Sequence, residues 1–326
     1  MIYIETGSDN VYHNFGLELY FAAEKKLDEP VLLFWRTTPT LMVGKYQNTL
    51  EEINQSYAEQ HGIQVVRRLS GGGTIYTDPG GWQFTFIDYN EDAQITFTQY
   101  IAPVVDALRA LGVPAEFNGR NDLVIGGRKF SGNAQYKQGG TTVHHGSLLF
   151  STDIAQMVAS TTVDPYKILS KSIKSVRDRV TNISEHLPQP MSTDAFKQHM
   201  VRYLMRGSER VYTPTEQDLA RIRQLASERF DNWQCKYGAN PKFEIVKTGR
   251  FAGGKMEFRL TVKKGVIQDA AVSGDFFAAE RAEGLAQCVI GCAYEKTAVL
   301  AALQNANMDG AVYGVSAAEI AMLITE

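Results

Sequence analysis

Three consecutive glycines behind a pair of arginines constrain this chain more than any other feature. The run Arg67-Arg68-Leu69-Ser70-Gly71-Gly72-Gly73-Thr74-Ile75-Tyr76 reads as a strand over residues 63–68, a loop, and a second strand. Glycines permit positive φ and let backbone N–H groups converge on an anion. An adjacent arginine offers a bidentate contact to carboxylate or phosphate. A tight turn that needs glycine, following two surface arginines, would read the same way, so both meanings stay open. The spacing matches neither the Walker A loop nor the dinucleotide-binding GxGxxG, which excludes two common phosphate sites.

Any anion site must be local, because the formal net charge is -3 and no overall basic field exists to hold nucleic acid. The three cysteines, Cys235, Cys288 and Cys292, form neither a disulfide framework nor a CxxC pair. Cys288 and Cys292, four apart in an alanine-rich stretch, are expected on one buried helix face as structural thiols. The start Met1-Ile2-Tyr3-Ile4-Glu5 has no basic flank or long apolar run, so it does not read as a signal peptide, and no window approaches a membrane span. A cytoplasmic protein is expected.

With 326 residues, the chain has room for one large domain and a smaller one. Ser8, Asp9 and Asn10 are candidate N-caps for a helix through Phe15, Leu19 and Ala22. Residues 31–35 read as a short buried strand. Thr49-Leu50-Glu51-Glu52 reads as a capping box opening a helix that stops at Gly62. A longer helix covers 98–111, closed by Gly112. Two strands, 122–125 and 128–131, are joined by Gly126-Gly127 in a two-residue hairpin turn, and 142–150 is another strand. Residues 153–230 read as mostly helical. Tyr237-Gly238-Ala239-Asn240-Pro241 is a linker candidate. Strands over 243–251, 255–262 and 266–272 follow, and alanine-rich helices finish the chain.

Three further segments bear on chemistry. In the hairpin, Phe130 taken into the core would make Lys129 project from the outer face or into a cleft, where a lysine can act as a point-charge phosphate binder. Asn121 and Asp122 offer oxygens suited to Mg²⁺; an ordinary hairpin with a solvated lysine is the alternative. Between Lys171 and Asn182, the cations Lys171, Lys174, Arg177 and Arg179 face only Asp178. This cluster suits a polyphosphate or an acidic partner, and equally a solvated helix face. His144 and His145, adjacent in a strand, point to opposite faces and cannot chelate one metal together.

In this order, these segments resemble the lipoate–protein ligase A family, over nearly the whole chain. The match runs from Ile53 and Arg67-Arg68-x-Ser70-Gly71-Gly72-Gly73 through Gly119-Arg120-Asn121-Asp122, Lys129-Phe130-Ser131-Gly132-Asn133-Ala134 and His144-His145-Gly146. It continues through Ser175-Val176-Arg177-x-Arg179-Val180-Thr181-Asn182 to the Phe251-Ala252-Gly253-Gly254 hairpin. The resemblance implies an α/β (α+β) fold: a biotin/lipoyl-ligase-like catalytic domain with mixed sheets and flanking helices (1–240), and a small α+β accessory domain (241–326). It implies activation of lipoate by ATP and Mg²⁺ to lipoyl-AMP, with no permanently bound cofactor. The lipoyl group would pass to a lysine on lipoyl domains of 2-oxo acid dehydrogenase E2 subunits or on the glycine cleavage H protein. A monomer is expected, with no nucleic acid or membrane partner. The implied ATP/lipoate site comprises Arg68, Ser70, Gly71, Gly72, Gly73, Thr74, Ile75, Tyr76, Asn121, Lys129, Gly146, Arg179, Val180 and Thr181. Lys129 would meet the lipoate carboxyl and the α-phosphate, and Asp122 would hold the metal. One departure stands out. After the glycine loop the family usually reads His-Asp-x-Gly-Asn, and here the chain reads Thr77-Asp78-Pro79-Gly80-Gly81.

Two rivals remain. A cysteine-dependent octanoyl or lipoyl amidotransferase on the same fold needs a thiol near the acyl site, and no cysteine precedes Cys235. A lipoate- or nucleotide-binding protein without catalysis is opposed by the presence of Lys129 and the basic segment.

Overall fold

The computed structural model describes residues 1–47, 49–89, 96–161, 175–236, 245–263 and 265–325, apart from the side chains of residues 50, 51, 233 and 234. Its centre is a seven-stranded mixed sheet of order β1-β2-β6-β10-β9-β8-β7. The strands are β1 (Ile2–Ile4), β2 (Val31–Trp35), β6 (Gly81–Asp88), β7 (Glu116–Phe117), β8 (Asp122–Ile125), β9 (Arg128–Gln138) and β10 (Thr141–Leu149). Period-two alternation along β2 feeds two separate cores. Leu32 and Phe34 face helices α4 (Thr98–Ala110) and α6 (Thr193–Leu204), while Val31, Leu33 and Trp35 face α1 (Val11–Leu19) and α7 (Glu216–Arg229). Burial on both faces explains the unbroken apolar run of β2.

A second sheet, β4-β3-β5, lies beside the first. Its middle strand β3 (Thr40–Val43) pairs in parallel with β4 (Gln64–Arg67) and antiparallel with β5 (Ile75–Thr77). The glycine loop connects β4 to β5. Asn10 is the cap of α1, accepting from the amides of Tyr12 and His13. The helix runs on as a π turn over Tyr20–Glu24. That turn is tied to α7 through Asp218, which accepts from Tyr20 Oη at 2.6 Å, Lys25 Nζ at 2.8 Å and Tyr212 Oη at 2.6 Å. Burial, the largest single influence, would raise the Asp218 carboxyl. The hydrogen bonds from Lys25, Tyr20, Tyr212 and the Thr215 amide overcome it and hold the group well below the usual carboxylate range.

Two local expectations are corrected. The helix expected from Thr49 to Gly62 is two short ones, α2 (Thr49–Glu52) and α3 (Gln55–Gln60), and the cap of α3 is Asn54. Thr49 is the first residue of α2, and its hydroxyl donates to the Lys236 carbonyl and accepts from Arg67 Nη2, both at 2.6 Å. Cys288 and Cys292 do not share a buried helical face. The helix, Leu285–Val289, ends before Gly291 turns the chain at φ +87, and both thiols are half-buried.

Three antiparallel strands, β11 (Ile245–Phe251), β12 (Gly254–Lys263) and β13 (Val266–Gly274), form a third sheet. It is covered by helices Lys296–Asn305 and Ala317–Thr325 and has its own core around Met256, Phe258, Leu260, Val299 and Ile320. The boundary expected at 240/241 lies outside the described residues. This C-terminal unit docks directly on the glycine loop. Gly72 N–H donates to the Phe276 carbonyl at 3.1 Å and Gly274 N–H to the Tyr46 carbonyl at 2.6 Å. The Tyr46 and Phe276 rings stack 4.4 Å apart, and Lys45 pairs with Glu283.

Candidate active site

A cleft opens where β3, the glycine loop, β9 and β10 meet. Phe15, Trp35 and Met42 make one wall apolar. Beside that wall lies a buried polar chain. Glu18, 1% exposed, accepts from Thr85 Oγ1 at 2.9 Å and Tyr136 Oη at 3.1 Å, and its carboxylate stands 3.2 Å from His145 Nδ1. His145 Nε2 in turn meets Ser70 Oγ at 2.6 Å. A charged residue between the apolar Leu17 and Leu19 is the sequence signal for Glu18; its partners, from three different strands, leave none. His144 points to the opposite face, as expected, and stacks on Tyr100. Burial, with the charge of His145 a lesser cause, pushes the His144 imidazole far below its ordinary value, so its ring is neutral at physiological pH.

Both arginines are engaged by hydrogen bonds within the fold. Arg67 donates from Nη1 to the carbonyls of Gly44, Lys45 and Gln47, and from Nε to that of Cys235. Arg68 lines the cleft, but its Nη1 is held by Met42 O at 2.5 Å, Nη2 by Gly71 O and Gly73 O, and Nε by Ser70 Oγ. Burial, aided by the Arg67 charge, draws the Arg68 guanidinium down to about 10, still cationic at neutral pH. Arg68 therefore shapes the glycine loop by gathering the Gly71 and Gly73 carbonyls, while Arg67 ties down the carbonyls of the 44–47 turn. Gly73 and Thr74 line the cleft, and among the described residues their N–H groups have no acceptor.

Opposite them stands Lys129. The Gly126-Gly127 turn has φ of +54 and +78, the hairpin geometry in which glycine is favoured. A bulge beyond it, between Leu123 and Val124 in the β8–β9 register, accompanies Phe130 fully buried in the core. Lys129 Nζ meets Asp122 at 2.7 Å with its side chain 41% exposed. Its backbone is clamped by a parallel segment: Lys129 N–H donates to Arg179 O, and Thr181 N–H to Lys129 O. Lys129 thus sits next to Arg179, Val180 and Thr181, although Lys171 and Lys174 of the same basic segment lie outside the described residues.

The structure gathers Arg68, Gly72, Gly73, Thr74, Ile75, Asn121, Lys129 and Gly146 around the cleft. Ser70 and Gly71 lie just behind it. Tyr76 turns away into a separate small core, its hydroxyl on Gln156. Where the family pattern has histidine, Thr77 Oγ1 accepts from Gln83 Nε2 at 2.6 Å, and Gln83 lines the cleft. Asp78 accepts from the amides of Gly80 and Asp153 and so fixes the turn. No cysteine is among the lining residues. Phe277, from the C-terminal unit, is; no periodicity in the sequence connects it with a loop 200 residues earlier.

The model of the lipoyl protein ligase A/B catalytic domain matches residues 10–205, and that of the bacterial lipoate protein ligase C-terminus matches 240–324. A lipoate–protein ligase of Bacillus subtilis is 40% identical over 90% of this chain and 91% of its own length. The chain belongs to the lipoate–protein ligase family. A second family member, lipoate–protein ligase 1 of Staphylococcus aureus, is 37% identical over 86% of this chain and 87% of its own. Among solved structures, P. falciparum LipL1 in complex with lipoate superposes with a TM-score of 0.77, covering 93% of this chain and 94% of that one, at 21% identity. The two-part lipoate protein ligase of Thermoplasma acidophilum covers 75% of this chain and 98% of its own, with a TM-score of 0.66 and 26% identity. The lipoate–protein ligase fold thus accounts for the mixed sheets, the flanking helices and the C-terminal unit together.

Proposed function

We propose that this ligase activates lipoate with ATP to lipoyl-AMP and then transfers the lipoyl group to a lysine of a lipoyl-domain acceptor. The carrying observation is the polarity of one cleft: an apolar wall of Phe15, Trp35 and Met42, with Lys129, Asn121 and the open amides of Gly73 and Thr74 also lining it. A fatty tail with a carboxylate head fits that gradient. In the first step a lipoate carboxylate oxygen attacks the α-phosphorus and the bond to pyrophosphate breaks. In the second, the acceptor amine attacks the anhydride carbonyl, an amide forms, and AMP and a proton leave. The first step joins two anions, so charge neutralisation is the main task. Lys129 serves the carboxylate and α-phosphate, and the loop amides serve the phosphate oxygens.

Asp122, beside Lys129 and Asn121, fits Mg²⁺ arriving with the nucleotide, because that ion takes one or two carboxylates plus phosphate oxygens. A neutralising ion is the chemistry it supplies. The segment Arg179-Val180-Thr181 positions Lys129 through the backbone. The acceptors fitting this reading are lipoyl domains of E2 subunits and the glycine cleavage H protein; the Thermoplasma relative is described, with its E2 lipoyl domain, as an archaeal lipoylation system. Mass spectrometry of a purified lipoyl domain, incubated with the chain, ATP, Mg²⁺ and lipoate, tests the reading. A gain of one lipoyl group is expected, and an unchanged mass with no pyrophosphate released sinks it.

A further inference from the structure

The cations around the cleft differ in what they have left to give. Arg68 has donors on three carbonyls and a hydroxyl, and Lys129 is paired with Asp122. Arg120 differs from both. It directly precedes Asn121, which lines the cleft. Its guanidinium carbon lies 5.6 Å from the centroid of the Phe277 ring, another lining side chain. Its Nε is buried with no partner, and among the described residues no carboxylate or carbonyl accepts from the guanidinium. A half-buried arginine held only by a ring face is loosely engaged, since a cation–π contact contributes less than a charge-assisted fork on an anion.

We propose that Arg120 is a binding residue for the β- and γ-phosphates of the nucleotide, with the Phe277 ring as its resting partner. This rests on the cleft being the adenylation site. When the carboxylate attacks the α-phosphorus, negative charge gathers on the departing pyrophosphate, and Lys129 beside Asp122 is already assigned to the other side of the reacting phosphorus. A planar fork of donors matches two phosphate oxygens in a way that an ammonium cannot. Phe277 comes from the C-terminal unit, so the residue that would bind the leaving group also touches that unit's aromatic side chain in the cleft.

The test compares Arg120→Ala, Arg120→Lys and Lys129→Ala in the full chain. Affinity is measured for ATP and for AMP, and turnover for adenylation and for transfer from preformed lipoyl-AMP, which carries no β- or γ-phosphate. Arg120→Ala should weaken ATP about tenfold or more while AMP binding and transfer from lipoyl-AMP stay within about twofold. Arg120→Lys, which keeps the charge without the fork, should fall between. Wild-type ATP affinity in Arg120→Ala, or equal losses toward ATP and AMP, overturns the proposal. If Lys129→Ala is crippled while Arg120→Ala is normal, only the Arg120 assignment falls; if neither variant is affected, the cleft reading falls with it. Should Arg120→Ala misfold, Arg120→Gln in the ATP-versus-AMP comparison decides in the same way.

Discussion

The glycine loop and the Lys129 hairpin both bring cations to one cleft, but they hold them differently. In the loop, two guanidinium groups are hydrogen-bonded to seven backbone carbonyls between them. In the hairpin, a single ammonium faces one carboxylate and remains partly exposed. A guanidinium fixed on carbonyls cannot turn to a ligand without orphaning them, and each orphaned buried group costs roughly 1–3 kcal/mol. An ammonium paired at the surface exchanges its partner at little cost. On the proposed reading, the loop's cations build the site and the hairpin's cation acts in it. The two should fail in different assays.

Lys129→Ala should reduce lipoyl-AMP formation by about a hundredfold or more, the usual loss for one preorganised charge, with an unchanged melting temperature. Pyrophosphate release measures it, and a rate within about threefold of wild type would erase the distinction. Arg68→Ala should instead show first in stability, by roughly 3 kcal/mol in denaturant unfolding, because Met42, Gly71 and Gly73 lose their donor. Arg68→Lys should recover little of this, since one ammonium cannot span the three carbonyls. A fully stable but inactive Arg68→Ala would reverse the assignment.

Asp218 extends the contrast to a structural ion pair far from the chemistry. Its carboxyl is depressed in the fold, so the unfolded chain binds more protons in acid. The stability it contributes is present above the unfolded carboxylate value, about 3.9, and is lost as the pH falls below it toward the folded value. Asp218→Asn should lower stability at pH 7 by about 2 kcal/mol and flatten the acid limb of the stability–pH curve, with activity per folded molecule intact. An acid limb as steep as wild type would remove Asp218 from that role. Last, replacing Cys235, Cys288 and Cys292 together with serine should change stability by only about 1 kcal/mol and leave adenylation and transfer unaltered. Loss of transfer in the folded variant would bring a thiol back into the mechanism.

Much of this contrast was out of reach of the sequence for a physical reason. The apolar run of β2, the helical stretch of α4 closed by Gly112 and the Gly126-Gly127 turn of the hairpin were legible, because burial and turn geometry are local to each segment. The fate of a donor follows no period. Arg67 is drawn to Cys235, which is 168 residues away in sequence, and Thr49 to Lys236 at a separation of 187; a local capping-box reading at Thr49 does not reach such a partner. Lys129 was legible because Phe130 had to be inside. Glu18 and Phe277 were not: Glu18 lies on a helix whose pattern is satisfied by core packing, behind the cleft, and Phe277 lies in the irregular segment after β13, which carries no period.

The glycine at 71 carries one further meaning. A Cβ built there would stand 2.1 Å from the Phe276 carbonyl oxygen, a distance that no rotamer relieves because both atoms are fixed to backbone. Position 71 is therefore closed to every other residue by a neighbour from the C-terminal unit and not by a ligand. If two halves of this chain were exchanged among relatives, the catalytic half could receive a foreign accessory half only with the same backbone approach at that point. A change at residue 71 would register as incompatibility between halves before it registered as lost affinity for any small molecule.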